Sequence, residues 1–135
     1  MAQITTYNPD TLGKPLGQYS HITRVKADEY LFIAGMLSAD RAGNIIGKDD
    51  FDAQCVQVFK NIEAALASAG ASWPQVVQFT TYLVHSQDIP KFMTFRKREF
   101  PRLFPNGVYP PNTLLMVDRL VQEPFLVEVQ TVAAL

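Results

Sequence analysis

Two stretches near the end of the chain hold the side chains best suited to chemistry. Asn112 leaves a double proline in YPPNTLLM, and Glu128 is the carboxylate within FLVEVQTVA. A lone acid inside an apolar strand costs free energy unless something pairs or uses it. With its pKa raised by an apolar cleft, such a group is suited to take a proton from water and return it. GQYS places a further phenol, Tyr19, at the start of the second strand. Plainer readings stand beside these: Glu128 paired with a neighbouring subunit's cation, and Tyr19 packing a loop. His21 and His85 have no recognisable partner and read as structural or exposed. No His, Cys, Asp or Glu cluster has metal-ligand spacing, so no metal is expected. RAGNIIGK at 41–48 has the wrong glycine spacing for a phosphate loop.

The elements that must position these groups are legible from pattern. Gln3–Tyr7, Tyr19–Lys26 and Tyr30–Leu37 read as strands separated by turn-rich sequence. Ala34 and Gly35 leave bare backbone in the third, as a bulge, a close approach or a packing constraint requires. Asp49 or Asp50 caps a helix in which Phe51, Cys55, Val58, Phe59, Ile62 and Leu66 recur at three- and four-residue steps, with Gly70 as its stop. Cys55 lies in that stripe and reads as core, not nucleophile. Gln75–Val84 is β-branched and aromatic, a strand covered on both faces. Asp88 caps a second helix, with Pro90 in its first turn and Pro101 at its end. The basic run RKREFPR is interrupted by Glu99 and reads as a solvated helix end, which puts Arg96, Lys97, Arg98 and Arg102 in water. Two final strands, around Asn112–Val117 and from Phe125, flank the polar break Asp118–Pro124.

The order is β-β-β-α-β-α-β-β, an α+β protein with a mixed sheet and two helices on one face. Two helices cover one face only, and the other retains apolar side chains from several strands. Such a patch marks an interface, so a homo-oligomer burying its sheet faces is expected, with clefts between subunits.

Bulk properties narrow the class. The 135 residues, 47% hydrophobic and 19% charged, suit one domain over residues 1–135. A net charge of −1 offers no general attraction for nucleic acid. A single cysteine excludes an internal disulfide and suits a reducing compartment. MAQITTYNPD lacks the form of a signal peptide, and no apolar run approaches the roughly 18 residues of a membrane span. The expectation is a soluble cytoplasmic protein with no nucleic-acid or membrane partner.

With these pieces in this order the chain resembles the RidA family, also called YjgF/YER057c/UK114. The resemblance is carried by GQYS at 17–20, LFIAGMLS at 31–38 and QCVQVFKNIEAALASAGAS at 54–72, then by VVQFTTYLVHSQDIPKF at 76–92 and YPPNTLLMVDRL with FLVEVQTVA at 109–133. It implies a chorismate-mutase-like fold, a homotrimer, and three ligand clefts between subunits. It also implies hydrolysis of reactive 2-imino or enamine acids to 2-keto acids and ammonia, without metal or organic cofactor.

Within that resemblance Tyr19 matches the tyrosine that closes the cleft, and Glu128 the glutamate that activates or positions water. Asn112 stands where the family has an arginine that grips the substrate carboxylate. A guanidinium makes two charge-assisted bonds there, and a neutral amide cannot balance the charge. Leu114 takes the place of a small cysteine, Met36 follows Gly35 where glutamine is usual, and Met93 aligns with an asparagine of the second helix. The resemblance thus nominates Glu128 and Tyr19 as catalytic, and Asn112, Leu114, Gly35 and Met93 as substrate-binding, in a cleft less polar than the archetype. Arg24 and Arg41 are candidates to replace the missing cation. The implied function is a cofactor-free, deaminase-like hydrolase of a reactive imine, enamine or related small molecule. Its substrate recognition is altered, and its activity on ordinary 2-imino acids weak or absent. A non-catalytic small-molecule-binding or regulatory trimer is the alternative; a ribonuclease or translation inhibitor is less favoured.

Overall fold

Alternating strands and three-to-four-spaced helices give the expected order, which a computed structural model describes over all residues 1–135. β1 (Gln3–Tyr7), β2 (Ile22–Lys26) and β3 (Tyr30–Met36) come first, followed by α1 (Phe51–Ser68) and β4 (Val76–Leu83). Then come α2 (Ile89–Leu103), β5 (Asn112–Met116) and β6 (Val127–Ala134). The main sheet runs β3-β6-β4-β5, with β4 and β5 parallel and the other pairs antiparallel. β1 and β2 form a separate antiparallel ribbon, so the six strands divide into two sheets rather than one.

Both helices pack on one face of the main sheet. From α1 come Phe51, Cys55, Val58, Phe59, Ile62 and Leu66; from α2 come Phe92, Phe95, Phe100 and Leu103. They meet Val76, Phe79, Leu83, Val127 and Val129 of the sheet. Each such side chain, fully buried, is worth about 1.5–3 kcal/mol, so this layer holds the fold together. Phe59 sits at its centre, with ring centroids 5.1 Å from Phe95, 5.6 Å from Phe100 and 5.9 Å from Trp73. Burial also raises the Cys55 thiol pKa, which suppresses the thiolate and agrees with a core role.

Asp50, not Asp49, caps α1, accepting from the Ala53 N–H at 3.0 Å. The helix ends in a Schellman turn: Gly70 takes φ +72°, and the Ala71 N–H reaches back to the Leu66 carbonyl at 2.9 Å.

Three sequence expectations need correction. α2 does not stop at Pro101 but continues to Leu103. Proline in the last turn removes only one hydrogen bond, and Leu103 and Phe104 are both anchored in the core beyond it. Asp88 stands at the N-terminus of α2 without capping it; its carboxylate pairs with Lys91 at 3.2 Å instead. The final strand starts at Val127, not Phe125. Buried Gln54 of α1 explains this, because its amide donates to the Pro124 carbonyl and accepts from the Leu126 N–H, both at 2.8 Å. These bonds hold the segment before the strand to the helix. Within one chain β4 is covered on its helix face, with Gln78 exposed and Thr80 and Tyr82 half-buried on the other.

That other face mixes polar side chains, Gln78, Thr80, Thr113 and Gln130, with exposed apolar ones. Phe32 is 80% exposed, and Tyr30 and Leu115 are also exposed. No helix is long and apolar enough to cross a membrane.

Candidate functional site

Glu128 lies between Val127 and Val129, both fully buried on the helix side, so its own side chain emerges on the bare outer face. Across the ladder it is in register with Tyr82 of β4. On its other flank the β3–β6 pairing slips between Ile33 and Met36, as the exposed backbone of Ala34 and Gly35 suggested. The carboxylate occupies the space this creates. A β-carbon on residue 35 would overlap Glu128 Oε2 and lie 2.6 Å from Cδ. Gly35 is therefore glycine because an acid lies across it. Desolvation is the sole cause raising the Glu128 pKa above its ordinary value, with no cation or donor opposing it.

Asn112 and Leu114 belong to the opposite face. The Thr81 hydroxyl, wholly buried on the helix side, donates to Asn112 Oδ1 at 2.7 Å, and Leu114 packs against the core. The residues nominated as one cleft are thus separated by the thickness of the sheet within a single chain. Strand alternation forces this: each of the two strands has its own parity, and only pairing register relates the two.

Tyr19 lies outside β2, in the loop before it, contrary to the expected strand start. Its N–H closes a tight turn on the Gly17 carbonyl at 2.9 Å, and its hydroxyl accepts from the Leu16 N–H at 3.2 Å. His21 meets the tyrosine ring edge-on at 6.3 Å between centroids. Met93 of α2 comes to the same place: a β-carbon on residue 17 would lie 2.6 Å from Met93 Cε and 3.1 Å from Arg96 Nη2.

Arg96 is the residue the sequence reading misplaced. Expected in water, it is only 2% exposed. Its Nη2 donates to the Met93 thioether at 2.9 Å, while Nε and Nη1 are buried without partners. The guanidinium carbon stands 4.9 Å from the Phe92 ring centroid and 5.9 Å from that of Tyr19. Burial pulls its pKa down to about 10, opposed only by Tyr19; no carboxylate is close enough to contribute. A signal for this was present: Arg96 falls four residues from both Phe92 and Phe100, on the buried stripe of α2. Reading RKREFPR as a charge run hid the helical period. The remaining cations behave as expected, exposed and partly neutralised, with Arg98 on Asp52 at 3.0 Å and Arg102 on Glu99 at 3.3 Å. Arg24 and Arg41 are exposed, on β2 and in the loop after β3.

Two cavities of about 500 and 440 Å³ contain none of these residues. A third, of about 340 Å³, is lined by His21, Gln78 and Pro111 among others. No group of three or more His, Cys, Asp or Glu side chains is assembled that could hold a metal ion.

A two-helix layer packed on one face of a mixed sheet defines an α+β protein. Comparison with known proteins agrees. The family model Endoribonuclease L-PSP matches residues 11–135. A RutC family protein of Pyrococcus horikoshii is 34% identical over 120 residues, covering 89% of each chain. Another, from Pyrococcus abyssi, is 33% identical over 81% of this chain and 84% of its own. Among solved structures, YyfB of the conserved Rid protein family from Yersinia pestis superposes with a TM-score of 0.87 at 27% identity, over 98% of both chains. The chain belongs to the RidA (YjgF, Endoribonuclease L-PSP) family.

Proposed function

We propose that the protein is a cofactor-free hydrolase of a reactive imine or enamine, acting in a cleft that two copies of the chain complete. The observation that carries this reading is Glu128: an unpaired carboxylate, desolvated by the sheet, on a face whose apolar residues are left bare. Tyr19, Asn112 and Leu114 lie off that face, so Glu128 of one subunit meets them only across an interface. A homotrimer of the family type supplies three such clefts.

In the reaction, water adds to the C=N carbon. The Glu128 carboxylate accepts a proton from that water, and its raised pKa makes it a better base than an ordinary glutamate. The proton passes to the nitrogen, the C–N bond breaks, and ammonia leaves as the carbonyl forms. One imine and one water thus give one ketone and one ammonia, with no oxidant or metal in the balance. Tyr19 shields the intermediate from bulk water. The neutralised cations of α2 and the net charge of −1 favour this reading over RNA cleavage.

The test is hydrolysis of imines generated in situ from neutral amino acids, followed by ketone formation against the spontaneous rate. Wild type is expected to exceed that rate severalfold or more. Equality with the spontaneous rate for every imine tried would overturn the reading in favour of a non-catalytic ligand-binding trimer.

A further inference from the structure

Five buried side-chain polar atoms lack any partner, and four of them belong to Gln18, His21 and Arg96. Gln18 and His21 flank Tyr19 in the loop, and the Arg96 guanidinium lies beneath its ring. Buried polar groups are almost always satisfied, so the two unpartnered Arg96 donors mark a position where an acceptor belongs; the Gln18 oxygen, an acceptor itself, adds nothing to that demand. The chief orphan is a cation. A buried guanidinium without an anion is costly, and its planar donors suit a carboxylate. Its one hydrogen bond, to the thioether of Met93, is a weak one. Methionine is also the easiest of neighbours to move, with its unbranched chain and several soft rotamers. Gly17 completes the arrangement by letting the loop rest directly on Met93 and Arg96.

We propose that Arg96 is the substrate-binding cation of this protein: it holds the carboxylate of an imino acid, whose oxygen displaces the Met93 thioether from Nη2. This rests on the reading that Tyr19 closes the reaction cleft, and it adds the residue that recognises charge there. The charge absent at Asn112 on β5 is supplied instead from α2, on the tyrosine side of the cleft. A ligand with one carboxylate is therefore favoured, against the weak activity on 2-imino acids expected from Asn112 alone, and neutral imines are poor ligands. A dianion would leave excess charge in a site with one cation.

The test uses the full-length assembly and a stable product analogue, so that it needs no turnover. By titration calorimetry, wild type is expected to bind 2-oxobutyrate at least tenfold tighter than 2-oxobutanamide. Arg96→Met should weaken 2-oxobutyrate binding about ten- to a hundredfold, the usual loss for one charge-assisted contact, and leave the amide unchanged. Arg96→Lys should recover part of the loss, and Met93→Ala should bind the carboxylate as tightly as wild type or tighter. Circular dichroism and the melting midpoint report whether each variant is folded. Equal binding of 2-oxobutyrate by wild type and folded Arg96→Met would overturn the proposal, as would failure of wild type to prefer the carboxylate. Loss of carboxylate binding in Glu128→Gln with retention in Arg96→Met would show Arg96 to be a structural cation, and also overturns it. Arg96-dependent binding without imine hydrolysis sustains this inference while the hydrolase reading fails. Hydrolysis of imines indifferent to Arg96 does the reverse.

Discussion

Glu128 and Arg96 are both charges left without an opposite, yet the fold treats them differently. Glu128 stands on the open face of the sheet, half-buried, with Phe32 and Tyr30 bare farther along the same face, in register with Val132 and Ala134. Arg96 is sealed inside one chain beneath a loop, among Phe92, Met93 and Tyr19. An unpaired acid on a partly apolar surface calls for a covering surface; an unpaired base in a closed crevice calls for something small. The difference teaches that one chain holds two incomplete halves. In the proposed reading, a second subunit completes one half and a ligand the other.

The largest effect should come from removing the acid. Glu128→Gln keeps shape and removes the base, so hydrolysis should fall about a hundredfold or more while circular dichroism is unchanged. A variant that retains most of the rate would reassign the water-handling role. Next in size is the open face. Phe32→Asp puts a charge where the interface is proposed, and sedimentation should show dissociation towards monomer with activity lost alongside. An unaltered assembly would mean that this face is not the one covered.

Gly35→Ala tests the fit of the acid itself. Its β-carbon overlaps the Glu128 carboxylate, so either the strand or the acid must shift. Overpacking of this kind costs about 1–3 kcal/mol, readable as a lower denaturation midpoint, and the rate should fall with it. Arg96→Met should act in the opposite direction on stability. Removing an uncompensated buried charge in favour of an apolar chain is expected to be neutral or to raise stability by about 1–3 kcal/mol. A drop of that size would mean that the guanidinium is paired in the assembled protein.

The smallest effect is in pH dependence. Glu128 has a folded pKa above its unfolded value, so the folded state binds its proton more tightly. Its contribution to stability is full below the ordinary glutamate pKa, roughly 4.3. That contribution is lost as pH rises through the raised folded value. Glu128→Gln should flatten this part of the stability curve. For the reaction, which uses the carboxylate, the rate should instead rise with pH through the same window.

Much of this was legible before any coordinates. The stripe from Phe51 to Leu66 specified α1 because only one helical face can be apolar when the other meets water. Gly35 was visible as bare backbone, although that it yields to Glu128 was not. The end of α2 is not legible locally, because Pro101 reads as a stop while the anchoring of Leu103 and Phe104 lies outside local sequence. The start of β6 is hidden for a related reason, since Gln54 lies seventy or more residues away from the backbone it captures.

The acid and the family motifs are properties of the linear chain. Residue type and two- or four-residue spacing determined that Glu128 sits in a strand and that two helices cover one face. Which face each group takes was decided only in three dimensions. Asn112 and Glu128 parted because ladder register, not sequence distance, sets their relative parity. Arg96 left the solvent because the apolar face of α2 had to close on the sheet, and position 96 lies on that face.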